Sequence, residues 1–212
     1  VDVPVQTRRS IAMIDGEATV YNESGFSLPP HSWEEMRELL KASLSASDVL
    51  VVSGSLHGDT SFESLEPILK SARERGCRII LDTSGPSLVE CARWADVLKP
   101  NHHELLDATG ASSIEEGART LLELGPTWVC VSRGEEGMDL FSAHSHWHAE
   151  AGVVLEGNPT GAGDACVASL ARSLAQAGDD LESIISIAIA EAVATSAAAV
   201  TMPVAGEIDC PL

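Results

Sequence analysis

The sequence predicts an α/β fold, a mostly parallel sheet between two helical layers. Three observations carry this. Four apolar runs of strand length, DVLVVSG, CRIILDTSG, ADVLKP and TWVCVS, lack polar alternation, as strands buried on both faces do. Segments of helical period separate them, the order that βαβ units require. With 212 residues, 44% of them hydrophobic, the chain can bury one sizeable core. Residues 1–212 are therefore read as one domain.

The elements follow in order. From Val5 to Tyr21 the text alternates around Asp15-Gly16, a dipeptide suited to a two-residue hairpin turn, so residues 1–24 open with a β hairpin. Ser32-x-x-Glu35 has the spacing of a capping box, which predicts a helix from Trp33 to Ser43. After DVLVVSG a helix spans Phe62 to Arg75 and stops at Gly76, and CRIILDTSG follows as a strand. A short helix near Ser87, the strand ADVLKP, a helix from His102, a second from Ser113 to Leu124 and the strand TWVCVS continue the alternation. GMDLFSAH and SHWHAEAGVVL read as antiparallel edge strands, and two Ala-rich helices, Gly161 to Gln176 and Leu181 to about Val200, close the chain.

Composition narrows the function classes. A formal charge of −19 opposes nucleic-acid phosphates and anionic membranes, so no nucleic-acid or membrane partner is expected. A phosphate-bearing ligand would need local donors and cations. Cys77, Cys91, Cys130, Cys166 and Cys210 show no C-x-x-C spacing and read as reduced core thiols, which fits a cytoplasmic location. His144, His146 and His148 would share one face of a strand. No cysteine or carboxylate is evidently placed to complete a metal set with them.

In open parallel sheets, ligands gather where strands exit into helices. The loops there are SGSLHGD, DTSG, KPNHHE, SRGEEG and GNPTGAGD. Glycine is a poor helix former, yet GNPTGAGD runs directly into a helix. The first amides of a helix lack intrahelical partners and carry the positive end of the dipole, so glycines there admit an anion to bare N–H groups. Gly161, Ala162 and Gly163 would form such a cradle, and Asp164 in the first turn could accept a hydroxyl proton. A tight turn packed beneath a strand would use the same glycines. Lys99-Pro100-Asn101 could equally be a strand exit with an asparagine helix cap, Arg8 a solvated strand charge, and Ser53 a turn cap.

Taken together, SGSL at Ser53–Leu56, LDTSG at Leu81–Gly85, KPNHHEL at Lys99–Leu105, VSRGEEG at Val131–Gly137 and NPTGAGDACVA at Asn158–Ala168 resemble the PfkB (ribokinase-like) carbohydrate kinases. Within them the chain is most similar to the 1-phosphofructokinase and tagatose-6-phosphate kinase branch. QTRRS resembles that branch's T-R-x-N segment. The resemblance implies a three-layer α/β/α sandwich with a small β lid, using ATP and Mg²⁺ to phosphorylate a sugar phosphate. It implies Asp164 as general base, with Gly161, Ala162 and Gly163 stabilising the transferring phosphoryl group. Asn101 and Glu104 match N-x-x-E and would hold Mg²⁺, largely through water. Lys99, Asn101, Ser132, Gly134 and Gly137 would contact the nucleotide, and Ala198 to Gly206 would line adenine and ribose. Arg8, with Ser53 and Gly54, would clasp the sugar's phosphate. No Walker A pattern is present.

The sequence departs from the branch where His57-Gly58-Asp59 replaces Pro-Pro-Gly and where Ser10 replaces an asparagine. The family's preceding sugar-binding aspartate and glycine pair are not found, so the chain resembles the family's C-terminal two-thirds. Two alternatives stay open: a nucleotide-binding protein without catalysis, and a kinase for an unphosphorylated sugar or nucleoside. A homodimer through the hairpin is a further implication of the resemblance.

Overall fold

The structure is a computed structural model that describes residues 1–15, 17–56, 60–152, 155, 157–177, 181–204 and 207–208. Strands β1 (Ser10–Asp15) and β2 (Glu17–Asn22) form a separate antiparallel hairpin in the expected place. Gly16 of the expected turn and His57-Gly58-Asp59 lie outside the described residues.

The main sheet has six strands: β3 (Val49–Ser53), β4 (Arg78–Asp82), β5 (Val97–Leu98), β6 (Trp128–Ser132), β7 (Met138–Phe141) and β8 (His146–Ala149). They lie side by side in chain order, the first four parallel and the last two antiparallel. The polar-free runs are the cause. On β4, Ile79 and Leu81 join one apolar cluster while Ile80 enters the other, so both faces need cover.

Helices supply that cover. Helices α1 (Pro30–Ser43), α2 (Phe62–Glu74), α3 (Pro86–Glu90), α4 (His102–Thr109) and α5 (Ile114–Leu122) contribute apolar side chains to the first cluster. Helices α6 (Ala162–Gln176) and α7 (Leu181–Val200) fill the second with Cys166, Val167, Leu170, Leu174, Ile185 and Ile189. The layering is α/β/α, as expected. None of the described helices is long and apolar enough to cross a membrane.

Two local expectations are corrected. The Ser32-x-x-Glu35 capping box does not form: Pro29 precedes the first turn, the helix starts at Pro30, and Ser32 is buried with its hydroxyl unpartnered. Proline fits the first helical position, where its fixed φ suits the helix and no N–H is needed. ADVLKP narrows to a two-residue strand, because the ladder ends as Pro100 is reached.

Cys77, Cys91, Cys130 and Cys166 are buried free thiols, and Cys210 lies outside the described residues. Burial pushes the Cys166 thiol up to about 11, which keeps it protonated at neutral pH.

Candidate active site

The site is built at the carboxyl ends of β3 to β6. Gly161 immediately before α6 sits at φ 89°, a left-handed conformation that suits glycine, and no side chain caps the helix. Asn158 Oδ1 accepts the Thr160 amide at 3.0 Å and steadies the entry to the turn. Asp164 in the first turn is exposed and reaches across to β3, where the Ser53 hydroxyl donates to its Oδ1 at 3.2 Å. Two of the expected site residues, 111 positions apart, thus meet.

Behind them lies a buried ion pair that no local pattern in the sequence announces. Lys99 Nζ stands 3.2 Å from Asp82 Oδ1, with side-chain exposures of 5% and 17%. A Cβ added at Gly163 would lie 3.9 Å from Lys99 Nζ, so the ammonium sits directly beneath the first turn of α6. Burial works to lower Lys99, but the charge and hydrogen bond of Asp82, together with the neighbouring Cys166 and Cys130, outweigh it and leave the lysine raised and cationic. Burial raises Asp82, with Asp164 adding repulsion and Lys99 opposing both. The net result is a cation beside a helix end that no side chain caps, where Ala162 N donates to Pro159 O at 3.2 Å, an arrangement that an anion would stabilise.

Two further groups face the same loops. Thr160 Oγ1 and Thr83 Oγ1 are sealed from solvent without a hydrogen-bond partner. Buried hydroxyls are normally satisfied, so their loops are suited to a polar ligand. Neither threonine stands out in the sequence, although both belong to strand-exit loops of the site.

Lys99, Asn101 and Ser132 are adjacent: Ser132 N donates to Pro100 O at 3.1 Å, and Asn101 bridges Ser132 in parallel. Asn101 and Glu104 form a reciprocal capping box, the Asn101 Oδ1 accepting the Glu104 amide and the Glu104 carboxylate accepting the Asn101 amide. The helix-cap reading of Asn101 therefore holds in this structure. Gly134 and Gly137 flank the next turn at φ 60° and 89°. Ahead of α6, Asn158 N bonds Val200 O at 2.8 Å, which brings the end of α7 to the same loop. Ala198 to Val204 is described there, whereas Ala205 and Gly206 are not.

At the far side, Arg8 Nη1 donates to Ser55 Oγ at 2.9 Å, placing the arginine against the Ser53-Gly54 loop. Ser55 carries no distinguishing signal in the sequence beyond its place in SGSL. His146 and His148 meet at Asp139, so a carboxylate does stand beside them; His144 lies in the preceding turn. Among the described residues no cluster of three or more His, Cys, Asp or Glu is shaped to hold a metal ion.

A mostly parallel sheet covered on both faces, with its strand-exit loops gathered on one glycine-opened helix, is the ribokinase-like α/β architecture. The chain belongs to the pfkB family of carbohydrate kinases, whose pattern matches residues 1–207. It is 34% identical over 168 residues to a 1-phosphofructokinase of Escherichia coli (strain K12), covering 76% of this chain and 53% of that one. Against a 1-phosphofructokinase of Bacillus subtilis (strain 168) the identity is 28% over 181 residues, 82% of this chain and 59% of the relative. The chain thus spans little more than half the length of these curated relatives. Phosphofructokinase-2 from Escherichia coli, solved in complex with fructose-6-phosphate, superposes with a TM-score of 0.78 at 22% identity, covering 94% of this chain and 67% of that one. Aminoimidazole riboside kinase from Salmonella enterica superposes at 0.65 with 26% identity, covering 74% and 58%.

Proposed function

We propose that the protein transfers the γ-phosphoryl group of ATP to a hydroxyl of a sugar phosphate, as a phosphofructokinase or tagatose-6-phosphate kinase does. The observation that carries this is the meeting of Ser53, Asp164 and the Lys99–Asp82 pair at the uncapped start of α6. The 1-phosphofructokinase relatives support the sugar-phosphate acceptor.

In this reading Asp164 accepts the acceptor hydroxyl's proton, and its exposure leaves it reachable. The Ser53 hydroxyl orients the carboxylate. The amides of Gly161, Ala162 and Gly163, backed by Lys99, stabilise charge on the phosphoryl oxygens; phosphoryl transfer is accelerated chiefly by donors held in place in this way. Asp82 keeps Lys99 cationic and fixed. Asn101, Ser132, Gly134 and Gly137 hold the nucleotide, and Arg8 with Ser53 and Gly54 clasps the sugar's own phosphate.

Mg²⁺ fits the oxygen donors present. Glu104 would hold it with the Asn101 carbonyl, largely through water, using the oxygen lone pairs that the capping box leaves over. When bound it neutralises phosphate charge. The hairpin exposes Ile11, Met13 and Tyr21 on one face, which supports assembly as a homodimer.

The test is ADP release with fructose 1-phosphate, fructose 6-phosphate and tagatose 6-phosphate. Turnover with at least one acceptor, abolished in Asp164→Asn with ATP binding kept, is the expected result. Normal turnover in that variant would remove Asp164 from the role.

A further inference from the structure

We infer that Asp139 is a positioning residue for nucleotide binding, acting through Arg133 on the Ser132–Gly137 turn; this rests on the nucleotide reading of that turn given above.

Asp139 is the second residue of β7, beside the turn, and is 2% exposed, an unusual place for a carboxylate unless it is fully paired. It is. The ring nitrogens His146 Nε2 and His148 Nδ1 both donate to Oδ1, at 2.8 and 2.9 Å, and Arg133 Nη1 donates to Oδ2 at 3.0 Å. The three donors come from two directions. Arg133 belongs to the turn, while the histidines belong to β8, whose register places His148 opposite Asp139 and His146 opposite Phe141. His146 also stacks on Phe141 with ring centroids 4.3 Å apart. The remaining charged neighbours are Glu136, paired with Arg133, and Glu150, 3.5 Å from His148 Nε2. Cys130 on the neighbouring β6 feels the Asp139 charge.

The turn itself is clamped twice. Arg133 N donates to Gly137 O at 2.9 Å, closing it, and Gly137 is pressed so tightly on β8 that an added Cβ would come within 2.0 Å of Ala149 O. Its other glycine, Gly134, meets nothing within 4 Å and leaves the outer surface open. The same strand β8 therefore supports the turn through Gly137 directly and through Asp139 and Arg133 indirectly. Releasing Asp139 frees the arginine strut and loosens the pinning of β8, while the β6–β7 ladder remains. A ligand on the turn's open side would then have to order the turn on binding, which weakens affinity without removing sites.

The experiment is calorimetric titration of the 212-residue chain with ATP in excess Mg²⁺, reading Kd and the number of sites separately. Asp139→Asn is expected to raise the Kd at least tenfold with close to one site per chain retained. Arg133→Gln, which cuts the strut from its solvent-facing end and leaves the histidine contacts in place, is expected to raise it at least fivefold, and it decides the matter if Asp139→Asn does not fold. Loss of sites at unchanged Kd, or a Kd within twofold of the parent in Arg133→Gln, overturns the inference. A parent chain that binds no ATP overturns the nucleotide reading itself, and the inference with it.

Discussion

Lys99 and Asp82 form an ion pair of 3.2 Å beneath the first turn of α6, with neither side chain more than one-fifth exposed. Removing one member leaves the other charge buried and uncompensated, which costs about 3–5 kcal/mol. Lys99→Met should lower the urea-unfolding free energy by that order, whereas Asp82→Asn combined with Lys99→Met should cost clearly less than the two single changes summed. Additive losses would mean that the pair is not coupled.

Asp164 is exposed and bonded only to the Ser53 hydroxyl among the described residues, so its carboxylate adds little to folding. Asp164→Asn should leave the thermal midpoint nearly unchanged and reduce kcat by about 10²–10⁴, the usual worth of a general base. The paired measurement separates a chemical role from a structural one.

Arg8 meets Ser55 at 2.9 Å from the hairpin side. A charge-assisted hydrogen bond contributes about 1.5–3 kcal/mol, so Arg8→Ala should raise the KM of the phosphorylated acceptor by about 10- to 150-fold. The KM for ATP should not change, because the loops proposed to hold the nucleotide, at Asn101 and Ser132 to Gly137, are not the ones Arg8 touches.

Gly134 and Gly137 both have positive φ, yet their surroundings differ. Gly134→Ala meets open space and should cost only about 1–2 kcal/mol of left-handed strain. Gly137→Ala adds a collision with the Ala149 carbonyl and should cost considerably more, with β8 displaced. Equal losses in urea unfolding would argue against the close approach.

Burial tends to raise Asp139, but hydrogen bonds from His146, Arg133 and His148 prevail and hold the carboxyl below its ordinary value of 3.8. A group depressed in the folded state contributes stability that is complete above its unfolded pKa and is lost as pH falls through the folded one. The Asp139 contribution should therefore be complete at neutral pH, begin to fall near pH 4 and be lost only as pH drops through the lower folded value. Asp139→Asn should remove this part of the acid limb in thermal midpoints measured from neutral to strongly acidic pH.

The strands and layers were legible in the sequence because burial on both faces leaves no polar alternation to misread. Asn101 and Glu104 show both the strength and the ambiguity of local pattern: the capping box they spell is formed, and the same residues are the metal candidates. Ser32 and Glu35 spell a similar box that does not form, because Pro29-Pro30 starts the helix earlier. Asp82 was hidden for a different reason. A carboxylate ending a strand looks like any strand exit until the fold brings Lys99 against it from the next strand. Asp139 was hidden likewise, since its partners come from a turn and from the neighbouring strand in register.

The main sheet's spatial order repeats its order along the chain, so each strand can settle beside its predecessor as it leaves the ribosome. Helix α6 is the exception. It returns to β3, the first strand of the main sheet, and the Ser53–Asp164 contact closes a loop of 111 residues. During synthesis strands β3 to β8 come first, and the Ser53–Asp164 corner comes into being only once α6 has followed them.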